Sequence, residues 1–444
     1  MMEFCTRTVR EIGYRGLIGQ FDVPVWFGDN AVRYSHSQIA LGHSYWSHAI
    51  MLNLYKQRDS VRGSGAATMQ SSLETSALYW RNLVAGKFAD RPFFVTETNH
   101  CIPNPYSYEF GLLIGGYSAF QDFSAILPHC QPVHLKTERQ APFEIGSNPV
   151  ARASNILLYV LFKRGDVTPS RHNISLQVGP DLIKRFQPVS PEQTKLALIT
   201  GFSLEFPGRK RPEGVRKDVP RDLAIPATRT DGLYKPELDD AIGAGSGKDR
   251  IFSADNCAKL LRKRGILPKN NRSNPKRGIY QTDNGELTLY ANRKKLELRT
   301  PRTQGACLTA GEDADLGDFT IESVSTDGCI ALTSIDGKPL SSSRRMLLIF
   351  TTAPANRNGK ISYTGTFWHG WRNGDPEPML RTGRFQALLK HPDAAAFRLH
   401  ALALDGSRRE QIPLQAGNGT LRILIDTAKQ PEASVCFELT AEEK

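Results

Sequence analysis

Pro92-Phe93-Phe94-Val95-Thr96-Glu97-Thr98-Asn99-His100 is the stretch on which the reading of this chain turns. Phe93, Phe94 and Val95 form a short apolar run, which predicts a buried strand. The run gives way abruptly to Thr96, Glu97, Asn99 and His100. Pro103-Asn104-Pro105 then stops either a strand or a helix from continuing. A carboxylate at the C-terminal tip of a buried parallel strand is where barrel enzymes carry catalytic groups. A capping or salt-bridged loop carboxylate is the other reading of Glu97 at this point.

Working outward, residues 16–22, 38–42, 93–97 and 123–127 read as strands. Helical patterns cover 1–13, 69–85, 106–120 and 149–162, with a short link at 26–34. Strands alternating with helices predict a parallel sheet of βαβ units. The strand ends carry His43, Tyr45, Trp46, Glu97, Asn99, His100 and His129. Polar groups gathered at C-terminal strand ends point to a (β/α) barrel site, yet a whole barrel takes eight strands and typically ~250 residues. Only four strands fit before residue 168. The first part is therefore half of a (β/α)8 TIM barrel or a small open α/β sheet.

Beyond Asp166 the character changes. Residues 207–278 are rich in Pro, Gly, Lys and Arg. From Gly278 onward short strands follow at regular intervals, with turns at Asp283-Asn284-Gly285, Asp327-Gly328, Asp336-Gly337 and Asp405-Gly406. This predicts β-sandwich-type domains. The expected organisation is α/β plus all-β. It comprises an α/β part at 1–168, a β-sandwich-like domain at 169–376 with the basic insertion 207–278, and a small β-domain at 377–444.

With 444 residues, 40% of them hydrophobic and 23% charged, the chain reads as a soluble globular protein of more than one domain. The formal net charge of +12 is partly local, because residues 259–277 hold eight Lys/Arg and no acid. A solvated loop is the favoured reading of that cluster over a polyanion site, and no nucleic-acid partner is expected. The seven cysteines form no CxxC pair, and their odd number argues against a fully paired disulfide framework. The first residues lack an apolar signal core, and no apolar run is long enough for a membrane span, so no membrane partner is expected. The compartment and the oligomeric state are left open.

Several motifs fail their own tests. Residues 243–249 (GAGSGKD) lack the Gly at 242 and the Ser/Thr at 249 that a phosphate loop requires. His43 and His48 lack a glutamate at zinc-protease spacing, so no metal is expected, and no dinucleotide fingerprint implies a cofactor. No Gly-x-Ser-x-Gly elbow is present. Trp368 and Trp371 could stack on a sugar or pack an edge of the β-domain. What remains is a carboxylate among His, Tyr, Trp and Asn. That set suits glycosidic chemistry, in which the carboxylate attacks or stabilises an oxocarbenium-like centre while aromatic and amide groups hold the sugar.

These residues resemble a known group. Residues 93–100 (FFVTETNH) followed by Pro103-Asn104-Pro105-Tyr106 resemble the seventh barrel strand of clan A retaining glycoside hydrolases, the cellulase-like superfamily. Gly42-His43-Ser44-Tyr45-Trp46 looks like the sixth strand, Gln121-Asp122-Phe123 leading to His129 looks like the eighth, and residues 150–167 look like the closing helix. Residues 300–305 (TPRTQG) and 332–339 (LTSIDGKP) resemble the accessory β-domains of multidomain members. The resemblance implies a carbohydrate substrate with Glu97 as the catalytic nucleophile. His43 and Tyr45 would orient it, and Trp46, Asn99, His100 and His129 would contact substrate. It also implies an acid/base glutamate in an Asn-Glu pair after the fourth strand. No such pair precedes Glu97, so the expectation is the C-terminal portion of such an enzyme, lacking its acid/base and inactive or nearly so alone. A non-catalytic carbohydrate-binding or scaffold protein is the alternative.

Overall fold

Three parallel strands position everything that follows. They are β1 (Ala40–Trp46), β2 (Phe93–His100) and β3 (Ala125–Pro128), hydrogen-bonded in that order. The computed structural model describes residues 1–19, 22, 25–48, 68–129, 140, 142–216, 218–229, 233–234, 243–244, 250–372 and 374–441. Helices α1 (Met2–Glu11) and α2 (Phe27–His36) precede β1. Helix α3 (Leu78–Val84) connects β1 to β2, α4 (Phe110–Phe120) connects β2 to β3, and α5 (Pro149–Leu158) follows. Ala40, Phe93 and Val95 are buried beneath the helices, with Phe93 and Phe123 at a ring-centroid distance of 4.6 Å. Every residue of α4 is buried, which explains its nearly continuous apolar sequence. Gly111 lets α4 approach α5 closely, since a Cβ there would lie 2.4 Å from the Ser154 carbonyl oxygen.

The fold is mixed α/β with a large antiparallel sheet, and several boundaries differ from expectation. Four strands were expected before residue 168, but the parallel sheet has three and is open among the described residues. Of segment 16–22, Gln20 and Phe21 lie outside the described residues. The Ile18 and Asp22 carbonyls accept from the Gln38 and His43 amides at 2.9 and 2.7 Å, which places these two residues beside β1 and the residues leading into it. The helix expected over 69–85 is confined to Leu78–Val84. Ser76 and Ala77 take positive φ values of 54° and 57°, and the Ser71 and Ser72 hydroxyls donate to Glu109, so the turns before α3 are held by side chains instead.

The boundary at 169 is not respected by packing. Strands β4 (Ile174–Gln177), β5 (Phe202–Glu205) and β6 (Leu223–Pro226) form a second parallel sheet in the order β5–β4–β6. Ile174, Leu176, Phe202, Leu204 and Ile225 join the apolar core of β1–β3, and Phe88 bridges to Leu204.

The boundary at 377 fails for a topological reason. A nine-stranded antiparallel sheet starts at Ile279–Gln281, and within it Cys436–Ala441 lies between Arg345–Thr351 and Phe397–Leu402. A five-stranded sheet pairs Phe319–Val324 with Arg384–Lys390, which in turn pairs with Thr420–Asp426. The inner faces of both sheets share one core that includes Phe319, Phe350, Phe385, Leu399 and Ile423. Residues 377–441 are therefore woven into a single β-sandwich and do not form a small domain of their own.

Asp166 fastens the sandwich to the α/β part. It is paired with Arg164 and, at 2.8 Å, with Arg302, and it accepts from the Thr303 hydroxyl at 2.6 Å. Among the described residues no helix is long and apolar enough to cross a membrane.

Candidate active site

The register of β1 against β2 builds the site. Gly42 pairs with Val95, but His43 pairs with Glu97, so Thr96 is an extra residue in β2. Side chains alternate strictly along a strand, and one inserted residue reverses which face the following ones take. Before the bulge, Phe93 and Val95 face the helices. After it, Thr98 and His100 do, while Glu97 and Asn99 turn to the open face. On β1, Ala40, Ser44 and Trp46 lie on the helix side, opposite His43 and Tyr45. The extra Thr96 is held by its hydroxyl, which donates to Asp22 Oδ2 at 3.0 Å.

Glu97, His43, Tyr45, Asn99 and His129 thus share one face at the C-terminal end of the sheet. Tyr45 donates its phenol proton to Glu97 Oε2. His129 Nδ1 lies 3.9 Å from the same oxygen. Asn99 Nδ2 donates to the His129 carbonyl at 2.8 Å, which fixes the backbone just after β3. The Glu97 side chain is 44% exposed, so a ligand can reach it. Burial, reinforced by the Glu97 hydrogen bond, pushes the Tyr45 phenol well above its ordinary range. Tyr45 therefore remains a proton-bearing donor throughout the physiological range.

His43 is the cross-strand neighbour of Glu97, but its polar partner is Asp22. Its Nδ1 pairs with Asp22 Oδ2 at 3.0 Å. Partial burial works against the Asp22 anion, but the His43 and Thr96 hydrogen bonds prevail and hold this carboxyl below its ordinary value. Asp22 is thus a firmly ionised group, the opposite of what a general acid needs.

Trp46 and His100 are not part of this face. The bulge and the strand alternation send both into the helix layer, where they flank Tyr79 at 5.9 and 6.2 Å. Trp46 Nε1 donates to the Gln70 carbonyl at 2.9 Å. Burial pushes the His100 imidazole down to about 3, and its Nε2 pairs with Asn104 Oδ1 at 3.0 Å. Asn104 spends its amide protons on the Thr68 and Gln70 carbonyls, so its oxygen accepts and His100 is assigned as the neutral Nε2–H tautomer. Both residues are structural supports.

Two aromatic neighbours escape sequence reasoning. Phe143 packs edge-on against Tyr45 and His129, with ring centroids 5.7 and 5.1 Å apart, and His48 packs edge-on against Tyr45 at 4.6 Å. Burial, with His129 nearby, lowers the His48 pKa. His48 entered the sequence reading only as a rejected zinc ligand, and Phe143 carries no signal in its spacing. Among the described residues no group of three or more His, Cys, Asp or Glu is arranged to hold a metal ion. The chain matches no family model and no curated protein.

Proposed function

We propose that this chain carries the nucleophile half of a retaining glycoside hydrolase, with Glu97 attacking the anomeric carbon of a bound, β-linked sugar. The observation that carries the reading is the accessible Glu97 carboxylate at the end of a buried parallel strand, aimed by the Tyr45 hydroxyl and walled by His129 and Phe143. In this reading β1–β3, with segment 18–22 alongside, are the last four staves of a (β/α)8 barrel. The sheet's other face is sealed by α3 and α4, as a barrel stave's outer face must be.

Double displacement takes two carboxyls ~5–5.5 Å apart. Asp22, held ionised by His43 and Thr96, does not serve as the acid, and no acid/base partner of Glu97 is assigned among the described residues. The division of labour gives a direct test. A 2,4-dinitrophenolate leaving group departs without protonation, so the glycosylation step needs Glu97 but no general acid. 2,4-Dinitrophenyl 2-deoxy-2-fluoro-β-glycosides of glucose, galactose, mannose and xylose should leave a stable sugar adduct on the peptide containing Glu97, read by mass spectrometry. The adduct should be absent from Glu97→Gln. A chain that takes no label from any of the four, or takes it elsewhere, overturns the assignment.

A further inference from the structure

Between residues 352 and 381 the β-sandwich sends out an excursion that its own core does not require. Strands Pro354–Asn356 and Pro378–Leu380 pair with each other, and beyond them Lys360–Thr364 pairs with Phe367–Arg372 as a hairpin. Among the described residues, no side chain from 354 to 379 belongs to either large apolar core. Yet the excursion is anchored on two sides of the site. On one side Gln140 exchanges hydrogen bonds with Asn356 and donates to the Ala355 carbonyl, three residues before the Phe143 that walls Tyr45. On the other, the Met69 amide donates to the Thr366 carbonyl at 2.7 Å and Trp368 Nε1 donates to Ser47 Oγ at 3.0 Å. Ser47 directly follows β1, the strand bearing His43 and Tyr45.

Trp368 is buried in making that anchor, which removes it as a stacking surface. Its cross-strand partner is Tyr363. Directly opposed residues of an antiparallel pair project to the same side, so Tyr363 projects to the same side of the hairpin as Trp368. Tyr363 is nevertheless 61% exposed. An exposed aromatic ring on a hairpin anchored to Ser47, at the end of the strand bearing His43 and Tyr45, has the form of a sugar platform, since its apolar face and polar tip match a pyranose.

We infer that the 360–372 hairpin forms a wall of the saccharide cleft, with Tyr363 stacking on a sugar unit beyond the one that Glu97 attacks. The inference rests on the glycosidase reading and adds to it that the substrate is an oligosaccharide and that the sandwich helps to select its length. Calorimetric titration of the full chain carrying Glu97→Gln tests it, using β-1,4-linked gluco-, manno- and xylo-oligosaccharides of one to six units. The parent should bind one series with affinity rising with length. Adding Tyr363→Ala should weaken the longest ligand about tenfold and leave the monosaccharide unchanged, while Tyr363→Trp should retain the length dependence. Length-dependent binding that Tyr363→Ala leaves intact overturns the subsite, and the labelling of Glu97 still stands or falls separately. Parent protein that binds no member of any series overturns the subsite, and coincident failure of the labelling would remove the underlying reading as well.

Discussion

Replacing Glu109 by glutamine should make this protein more stable at pH 8 and leave it unchanged near pH 4.5. Glu109 is fully buried at the start of α4, where it accepts from the Ser71 hydroxyl, the Ser72 hydroxyl and the Ser72 amide at 2.5, 2.5 and 2.9 Å. Burial outweighs these bonds and raises its pKa from 4.5 to about 7. The folded state therefore keeps its proton where the unfolded chain has lost it. Stability contributed by the neutral group is complete below about pH 4.5 and drains away as pH rises to about 7. At about 1.36 kcal/mol per pH unit, the interval corresponds to roughly 3 kcal/mol. Glutamine has the same shape and carries no charge. Its oxygen can accept from Ser72 and its amide can donate to Ser71 Oγ. Urea unfolding followed by tryptophan fluorescence at pH 4.5, 6 and 8 would measure the effect as the difference between Glu109→Gln and the parent. The expected gain is near zero at pH 4.5 and up to about 3 kcal/mol at pH 8. A difference that does not change with pH would show that Glu109 is not a buried acid with a raised pKa.

Three other outcomes are expected. Tyr45→Phe keeps the ring against Phe143 and His129 but removes a hydrogen bond to a charged group, worth about 1.5–3 kcal/mol. Labelling of Glu97 should slow by about ten- to a hundredfold, and an unchanged rate would exclude Tyr45 from positioning the nucleophile. His100 should show one neutral Nε2–H tautomer by nitrogen NMR from pH 5 to 8, and a titration in that range would place it outside the buried layer. Asp166→Ala removes the shared partner of Arg164, Arg302 and the Thr303 hydroxyl at the junction with the sandwich and should cost about 1.5–3 kcal/mol in chemical denaturation; an unchanged stability would deny the clamp.

Local elements with strong patterns were legible. The hairpin around Asp283-Asn284-Gly285 falls where turn chemistry places it. So does the apolar helix Phe110–Phe120. Domain boundaries were not legible, because strand order in a sandwich is set by pairings between distant residues. Nothing in Cys436–Ala441 announces Arg345–Thr351 as its neighbour. The helix expected over 69–85 was misread for a related reason. Its apolar spacing is genuine, but the serines before it are claimed by Glu109, a residue from the next helix.

The same division runs through the site. Residues 92–100 show by themselves a short apolar run that ends in polar chemistry, which favours a buried strand because Pro92 and Pro103 leave too little room for a helix. They do not determine which of those side chains meets a ligand. With strict alternation from Phe93, Glu97 would point into the helix layer and His100 would be exposed. The tertiary structure decides otherwise through the one-residue bulge at Thr96, which pairs His43 with Glu97. A bulge depends on how two strands far apart in sequence are joined, and here it is fastened by the Asp22 carboxylate from a third segment. Hence Glu97 and Tyr45 meet on the face away from the helices, while Trp46 and His100, equally prominent in the sequence, are buried in the helix layer as supports.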